Sequence, residues 1–172
     1  MSVVLLKELS TSDGCDIYNM LQSIGKEENE FHNDVNGMSY DKFKQWLVIQ
    51  YNWAHGKDLP KGYVKQWTFW LYVDGAPVGY GKLREKLTAA SRSIGGNIGY
   101  AISSHERGKG YGSILFQKLL EKAKELKIET IMSTVEKNNP SSKRVQEKCG
   151  GVLIEENDER WFYRFFKYSP NN

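Results

Sequence analysis

The fold is decided by residues 97–126, which read NIGYAISSHERGKGYGSILFQKLLEKAKEL. At the start of this stretch, Ile98, Tyr100 and Ile102 alternate with small residues, which is the period of a β-strand with one bulky face and one nearly bare face. From Leu115 to Leu126, leucines and an alanine recur at helical spacing while charged residues fill the other positions. The glycine-rich run Arg107-Gly108-Lys109-Gly110-Tyr111-Gly112 is therefore predicted to be a turn between a strand and a long amphipathic helix.

The composition of this turn predicts an anion-binding site. Gly108, Gly110 and Gly112 can adopt positive φ angles and carry no Cβ, so successive N–H groups can point outward at the N-terminus of the helix. Such a nest of N–H groups favours an anion, of which phosphate is the commonest in proteins. Arg107 and Lys109 add positive charge beside it. The simpler alternative is an ordinary tight turn that caps a helix.

The spacing of the turn excludes two common phosphate-binding motifs. A P-loop requires Gly, four residues and Gly-Lys-Ser/Thr, and a dinucleotide fingerprint requires GxGxxG early in a βαβ unit. The arrangement found here is Arg, two residues, Gly, one residue, Gly. It resembles the acetyl-CoA pyrophosphate loop of the GNAT superfamily of N-acetyltransferases.

A second segment extends the resemblance. Val135 to Gly151 is similar to the next strand and helix of that family, with Asn139 and Ser142 at the positions of an Asn-x-x-Ser pattern. The match is good from Gly96 to Leu153, loose from Trp67 to Leu83, and only generic over the first sixty residues. The resemblance implies an α/β fold with a mixed, mostly antiparallel central sheet of about six or seven strands flanked by about four helices.

Length and composition agree with one domain spanning residues 1–172. A chain of 172 residues with 40% hydrophobic residues can bury one good core and is short for two domains. Its net charge of +3 is small and its charges are interspersed, which argues against a nucleic-acid or membrane surface. We expect a cytoplasmic protein, because the two cysteines are far apart and the sequence shows neither a signal-peptide core nor a membrane span. We expect it to be a monomer or a homodimer.

The remaining elements follow from local signals. A strand at Val3–Glu8 precedes a helix around Ile17, and Ser39 is predicted to cap a second helix. Residues 66–73 and 76–83 flank Asp74-Gly75 and form a predicted hairpin whose first strand is apolar on both faces and therefore central. After a buried strand at 130–135 and a helix that begins at Asn139-Pro140, residues 152–154 and 161–168 are predicted to close the sheet as a strand pair.

The resemblance implies a set of residues for acetyl-CoA. The strand edge would hold the pantetheine arm, the loop would hold the pyrophosphate, and the first turn of the second helix would lie near the sulfur. These residues are Ala101, Ile102, Ser103, Arg107, Gly108, Lys109, Gly110, Tyr111, Gly112, Ser113, Asn139 and Ser142. A backbone N–H at a bulge near Ile102 and Ser103 would meet the oxyanion of the transferred acetyl group.

The acceptor is predicted to be a primary amine of a small molecule or peptide, which must lose a proton before it attacks. Glu136, at the C-terminal end of a strand, is the first candidate base, and Glu85 is the reserve. Trp70, Tyr80 and Glu85 are predicted to face the acceptor, whose body the aromatic residues suggest is apolar. No metal site is predicted, since the histidines at 32 and 55 are expected to be solvated loop residues.

One position departs from the family pattern. Many members place a tyrosine four residues after the Ser of Asn-x-x-Ser, where its hydroxyl can protonate the leaving sulfur, and this chain has Gln146 there. An amide donates a hydrogen bond but supplies no proton at neutral pH. No general acid is assigned. Two alternatives stay open: a CoA-binding regulatory module without transferase activity, and a more distant binder of nucleotide phosphate.

Overall fold

The structure is a computed structural model that describes residues 2–166, with Phe166 described by its backbone alone. The elements are β1 (Val4–Glu8), α1 (Cys15–Gln22), β2 (Glu27–Glu28), β3 (Phe31–His32), α2 (Tyr40–Ala54), β4 (Gln66–Val73), β5 (Ala76–Arg84), α3 (Ala89–Ser93), β6 (Ile98–Ile102), α4 (Tyr111–Glu125), β7 (Thr130–Glu136), α5 (Pro140–Lys148), β8 (Val152–Glu156) and β9 (Arg160–Phe166). The predicted last strand ran to residue 168, so its end lies outside the described residues.

Seven strands form two antiparallel sheets that adjoin edge to edge. The first has the order β1-β4-β5-β6, the second has the order β7-β9-β8, and β2 pairs with β3 in a small separate hairpin. This confirms the predicted mixed α/β fold. The hairpin β2–β3 and the five-residue helix α3 are not among the elements that the sequence predicted.

The strand β4 is central, as its two apolar faces predicted. Phe69 and Leu71 belong to a core cluster that lies against α4, whereas Trp70 and Tyr72 belong to a second cluster that α1 and α2 cover. β1 and β5 flank β4 on its two edges. The helices therefore form one layer on each face of the first sheet.

The two sheets are joined at the start of β6 and β7. The N–H of Asn97 donates to the O of Met132 at 2.7 Å, and the N–H of Met132 donates to Oδ1 of Asn97 at 2.9 Å. Gly96 has φ +72°, and a Cβ built on it would lie 2.1 Å from the O of Met132. Only glycine fits this junction, because a side chain would overlap the backbone of the neighbouring strand.

The end of β5 completes the junction. The buried Asn97 also donates from Nδ2 to the O of Arg84, and the guanidinium of Arg84 donates to the O of Gly96 at 3.0 Å. Burial lowers the pKa of Arg84 below its ordinary value. Arg84 is thus part of the junction between the sheets.

Candidate active site

Beyond the junction, β6 and β7 present open backbone edges to each other. The N–H of Ser103 donates to the O of Val78 in β5, and the N–H of Lys137 donates to the O of Glu159 beside β9. Because successive residues of a strand point their backbone groups to opposite edges, Tyr100 and Ile102 of β6, like Thr134 of β7, point theirs away from those partners. A gap that starts after Asn97 therefore lies between two strand edges that do not pair with each other.

The glycine-rich loop follows β6, beside this gap, and leaves its N–H groups without acceptors among the described residues. Within the described part of the chain, no hydrogen bond uses a backbone N–H of residues 107–113 as its donor. Gly108 and Gly110 have φ +78° and +83°, and the space where their Cβ atoms would lie is empty to 4 Å. α4 begins directly after Gly110 with no side chain capping it. The loop thus offers consecutive N–H donors at the positive end of a helix of 15 residues.

The two cationic side chains of the loop are both paired with carboxylates. Arg107 donates from Nε to the O of Ile102 at 3.0 Å and forms an ion pair with Glu28 of the β2–β3 hairpin. Lys109 pairs with Glu106 at 2.8 Å, and this hydrogen bond raises the pKa of Lys109. Both side chains are therefore held by carboxylates, and Lys109 remains charged at neutral pH.

Three further residues of the predicted loop belong to the first turn of α4. Gly112 is helical and does not adopt the positive φ that the sequence suggested, and a Cβ on it would make ordinary contacts with Tyr100 and Val145. Tyr111 packs against the first core cluster, and the O of Ser113 accepts from the thiol of Cys149. The N–H groups of these three residues have no acceptor among the described residues.

The predicted bare face of β6 is not bare. Phe31 covers Gly99, Ala101 packs against the second core cluster, and the hydroxyl of Ser103 bonds that of Ser23 at 2.7 Å. The open part of β6 is its edge. Since the N–H of Ser103 is used by β5, the N–H of Ile102 is the group that can meet an oxyanion.

A bulge was expected at Ile102, and that expectation was wrong. The pairing of β5 with β6 is regular through Gly79 and Ile102, and the register shift falls between Leu71 and Tyr72, where β4 meets β5.

The start of α5 lies next to β6. Asn139 caps the helix as predicted, since its Oδ1 accepts from the N–H of Ser142 at 3.1 Å and Pro140 occupies the first helical position. The hydroxyl of Ser142 also lies 3.0 Å from the hydroxyl of Tyr100. Burial raises the pKa of Tyr100 to about 12, so its phenol stays protonated at neutral pH.

Gln146, at the position of the tyrosine of many relatives, is buried, and its Oε1 accepts no hydrogen bond from the described residues.

A cavity of about 480 Å³ lies where β7 ends. Its wall consists of polar side chains from the β2–β3 hairpin, from the last residue of β7 and from the segment that follows: Glu27, Asn29, Glu30, His32, Glu136 and Asn138. Glu136, the predicted base, therefore faces an open cavity. His32 lies in the same wall, with its ring nitrogens 3.2 Å from Glu27 and 2.7 Å from Asp34.

Arg160 connects this cavity to the second sheet. Its guanidinium is nearly buried, forms two hydrogen bonds with the carboxylate of Glu30, and lies 3.9 Å from Oε1 of Glu136. Arg160 thereby fixes the tip of the hairpin relative to the candidate base. Burial lowers the pKa of Arg160, although an arginine remains charged throughout the neutral range.

The three predicted acceptor residues lie elsewhere. Trp70 and Tyr80 are completely buried in the second core cluster, where Trp70 donates to Asp13 at 2.7 Å. Glu85 follows the end of β5 at the closed junction, where it lies 3.7 Å from Lys65, and it does not line the cavity at Glu136.

Sequence reasoning missed the hairpin residues and Arg160. The hairpin is only two residues per strand, and Arg160 is 130 positions from Glu30, so no local spacing connected them. The one available signal was the acidic character of residues 27–30, Glu-Glu-Asn-Glu, before the apolar Phe31.

Two possible features are absent from the described residues. No group of three or more histidine, cysteine, aspartate or glutamate side chains is arranged to hold a metal ion. Within residues 2–166, no helix has the length and apolar character needed to span a membrane.

Structural comparison gives the same fold in several solved acetyltransferases. The ribosomal-protein-S5-alanine acetyltransferase from Vibrio fischeri aligns with a TM-score of 0.72 at 16% identity, over 99% of this chain and 100% of that one. The N-acetyltransferase PseH from Campylobacter jejuni, in complex with acetyl coenzyme A, aligns with a TM-score of 0.62 at 13% identity, over 96% and 99%. A chimera of the spermidine N-acetyltransferase SpeG from Vibrio cholerae and hSSAT aligns with a TM-score of 0.62 at 16% identity, over 95% of each chain.

The sequence comparison identifies the family. No curated protein matches the chain by sequence. The sequence model of the acetyltransferase (GNAT) family matches residues 26–151, a range that contains the hairpin, the glycine-rich loop, Glu136 and Asn139. The chain therefore belongs to the GNAT family of acetyltransferases, whose acetyl donor is acetyl-CoA.

Proposed function

We propose that this protein transfers the acetyl group of acetyl-CoA to a primary amine by direct attack in a ternary complex. The observation that carries the proposal is the loop 107–113, whose N–H groups have no acceptor among the described residues and lie beside an open strand edge. A diphosphate fits this arrangement because consecutive amides and a helix N-terminus bind anions through the main chain. The donor supplies an acetyl group activated as a thioester.

The main chain of β6 has two roles in this proposal. The backbone groups of Tyr100, which face away from β5, pair with the pantetheine arm and align the acetyl carbonyl in the gap. The N–H of Ile102 then stabilises the negative charge that develops on the carbonyl oxygen. Ala101 and Ser103 hold this edge of β6 in place, since Ala101 pairs with Tyr80 of β5 and the N–H of Ser103 donates to the O of Val78.

The proton of the amine passes to Glu136. A primary amine with a pKa near ~10 is mostly protonated at neutral pH, so a carboxylate at the cavity is needed to generate the nucleophile. Glu136 lies at the end of β7, between the gap and the cavity, and Arg160 limits the movement of its carboxylate.

The leaving thiolate is stabilised by the N-terminus of α5, near the hydroxyl groups of Ser142 and Tyr100. Gln146 leaves this step without the tyrosine of many relatives. The competing function, a CoA-binding module without transfer, is favoured by that one position.

A thiol-release assay with acetyl-CoA and a panel of primary amines tests the proposal. We expect thiol release that depends on the amine, and we expect Glu136→Gln to lower turnover below pH 8 while CoA affinity stays the same. Glu121→Gln, on the exposed side of α4, is the matched control and should behave like the wild type. Binding of acetyl-CoA without thiol release for any amine would support the module instead. An unaltered pH profile in Glu136→Gln would remove Glu136 as the base.

A further inference from the structure

The cavity beside Glu136 carries information on the acceptor, and this inference builds on the proposed function. Its six lining side chains are three glutamates, two asparagines and one histidine, and none of these six is apolar, lysine or arginine. An acceptor body that packs against this wall must therefore be polar. The aromatic side chains expected to contact an apolar acceptor, Trp70 and Tyr80, are buried.

The wall remains negatively charged after its internal ion pairs are counted. Four carboxylates lie in or directly behind it, and two cations offset them. The carboxylates are Glu27, Glu30, Asp34 and Glu136, and the cations are Arg160 and the Lys82 ammonium, which binds the O of His32 beneath the hairpin. Two negative charges are left when His32 is neutral, and one is left when His32 is protonated.

The distribution of these pairs places the excess on the hairpin side of the cavity. Arg160 is shared between Glu30 and Glu136, so one guanidinium serves two carboxylates. Among the described residues, Glu27 has only His32 as a partner, at 3.2 Å, and His32 is shared in turn with Asp34. A ligand cation near Glu27 and Glu30 would therefore complete an incomplete set of ion pairs.

We propose that the acceptor is an aliphatic amine with a second positive charge, in the chemical class of the diamines. Glu27 and Glu30 hold the second ammonium group while the reacting amine faces Glu136. An acceptor with an anionic tail is repelled by the same carboxylates, and one with an uncharged tail lacks the additional attraction.

Three amines of equal chain length isolate the charge of the tail: 1,4-diaminobutane, butylamine and 4-aminobutyrate. Their binding is measured by isothermal titration calorimetry in the presence of CoA, which separates binding from transfer. We expect 1,4-diaminobutane to bind at least about tenfold more tightly than butylamine, and 4-aminobutyrate to bind most weakly.

Three variants test whether the cavity causes this order. Glu27→Gln removes one charge from an exposed wall residue and should reduce the ratio of the diamine to butylamine affinities to about threefold or less. Asn138→Lys adds a cation to the opposite wall and should shift the preference towards 4-aminobutyrate. Glu121→Gln removes a distant exposed carboxylate and should leave all three affinities at their wild-type values.

The outcomes separate this inference from the proposed function. Equal affinities for the diamine and butylamine, or a ratio unaltered in Glu27→Gln and Asn138→Lys, would overturn the inference even if amines are acetylated. Selective binding of the diamine without thiol release would support the charged cavity and contradict the transfer. Selective binding with faster thiol release for 1,4-diaminobutane than for butylamine would support both.

Discussion

In the proposed function, two regions beside the gap between β6 and β7 recognise ligands by different means. The loop 107–113 is one continuous segment that uses main-chain N–H groups, whereas the cavity collects side chains from residues 27–32, residues 136–138 and, behind them, Arg160. A main-chain site depends on glycines and a helix start, which are visible in a short sequence. A site made of distant side chains becomes visible only when the chain is folded.

The loop and the cavity also differ in charge, and the β2–β3 hairpin contacts both. The loop presents N–H groups at a helix N-terminus, which would suit the proposed diphosphate, while the cavity wall carries an excess of carboxylates, which would suit the proposed amine. Glu28 of the hairpin pairs with Arg107 of the loop, and Glu30, two residues later, pairs with Arg160 beside the cavity. The hairpin therefore fixes the position of the cavity relative to the glycine-rich loop.

The largest expected effect comes from breaking the junction between the two sheets at Gly96, because the positions of both the loop and the cavity depend on it. In Gly96→Ala, the new Cβ meets the O of Met132 at 2.1 Å, so the free energy of unfolding should fall by more than ~3 kcal/mol. Gly62→Ala is the control, since Gly62 has a similar φ of +87° in open space and should cost only about 1 kcal/mol. Urea denaturation measures both variants. Equal losses of stability would mean that the sheets are not held together at Gly96.

The next largest effect is confined to the glycine-rich loop. Gly110→Asp places a carboxylate next to the free N–H groups, and we expect it to weaken CoA binding about tenfold or more, which corresponds to at least ~1.4 kcal/mol. Gly62→Asp adds the same residue at a similar φ away from the loop and should bind CoA as the wild type does. Calorimetric titration with CoA gives the two affinities. Unchanged affinity in Gly110→Asp would contradict the main-chain site.

The smallest effect concerns the cavity side of the molecule, where Lys82 lies buried under the β2–β3 hairpin. Burial lowers the pKa of Lys82 to about 8, below its value in the unfolded chain. Between pH 8 and pH 10 the unfolded state therefore binds more protons than the folded state, so stability contributed at Lys82 rises with pH in that window. The wild type should gain about 1 kcal/mol or more relative to Lys82→Met from pH 8 to pH 10.

Urea midpoints of both proteins at several pH values measure this difference. Tyrosines such as Tyr72, whose pKa burial raises, affect both proteins equally and cancel in the comparison. Parallel stability curves across the window would mean that Lys82 is not held as a buried amine beneath the hairpin.

The sequence predicted the elements whose causes are local. Ser39 and Asn139 cap their helices through side chains that accept an N–H three residues later, and Asp74-Gly75 forms the turn of the central hairpin with two positive φ angles. Each of these features depends on neighbours within a few residues. The glycine-rich loop belongs to the same class.

The features that were not predicted depend on contacts between distant segments. Asn97 joins two sheets, and Arg160 binds a hairpin 130 residues away. The bare face assigned to β6 was wrong because Phe31, from the same hairpin, covers Gly99. The residue pattern of one strand gives no information on which distant segment packs against it. For that reason the residues of the cavity could be identified only from the structure.

A crystal structure of the protein with CoA tests the central claim most directly. The account predicts that oxygens of the CoA diphosphate lie within hydrogen-bonding distance, about 3 Å, of backbone N–H groups between Gly108 and Ser113, with Gly110 still at positive φ. A diphosphate bound elsewhere, or a loop whose N–H groups donate to carbonyl groups of the protein itself, would contradict the account.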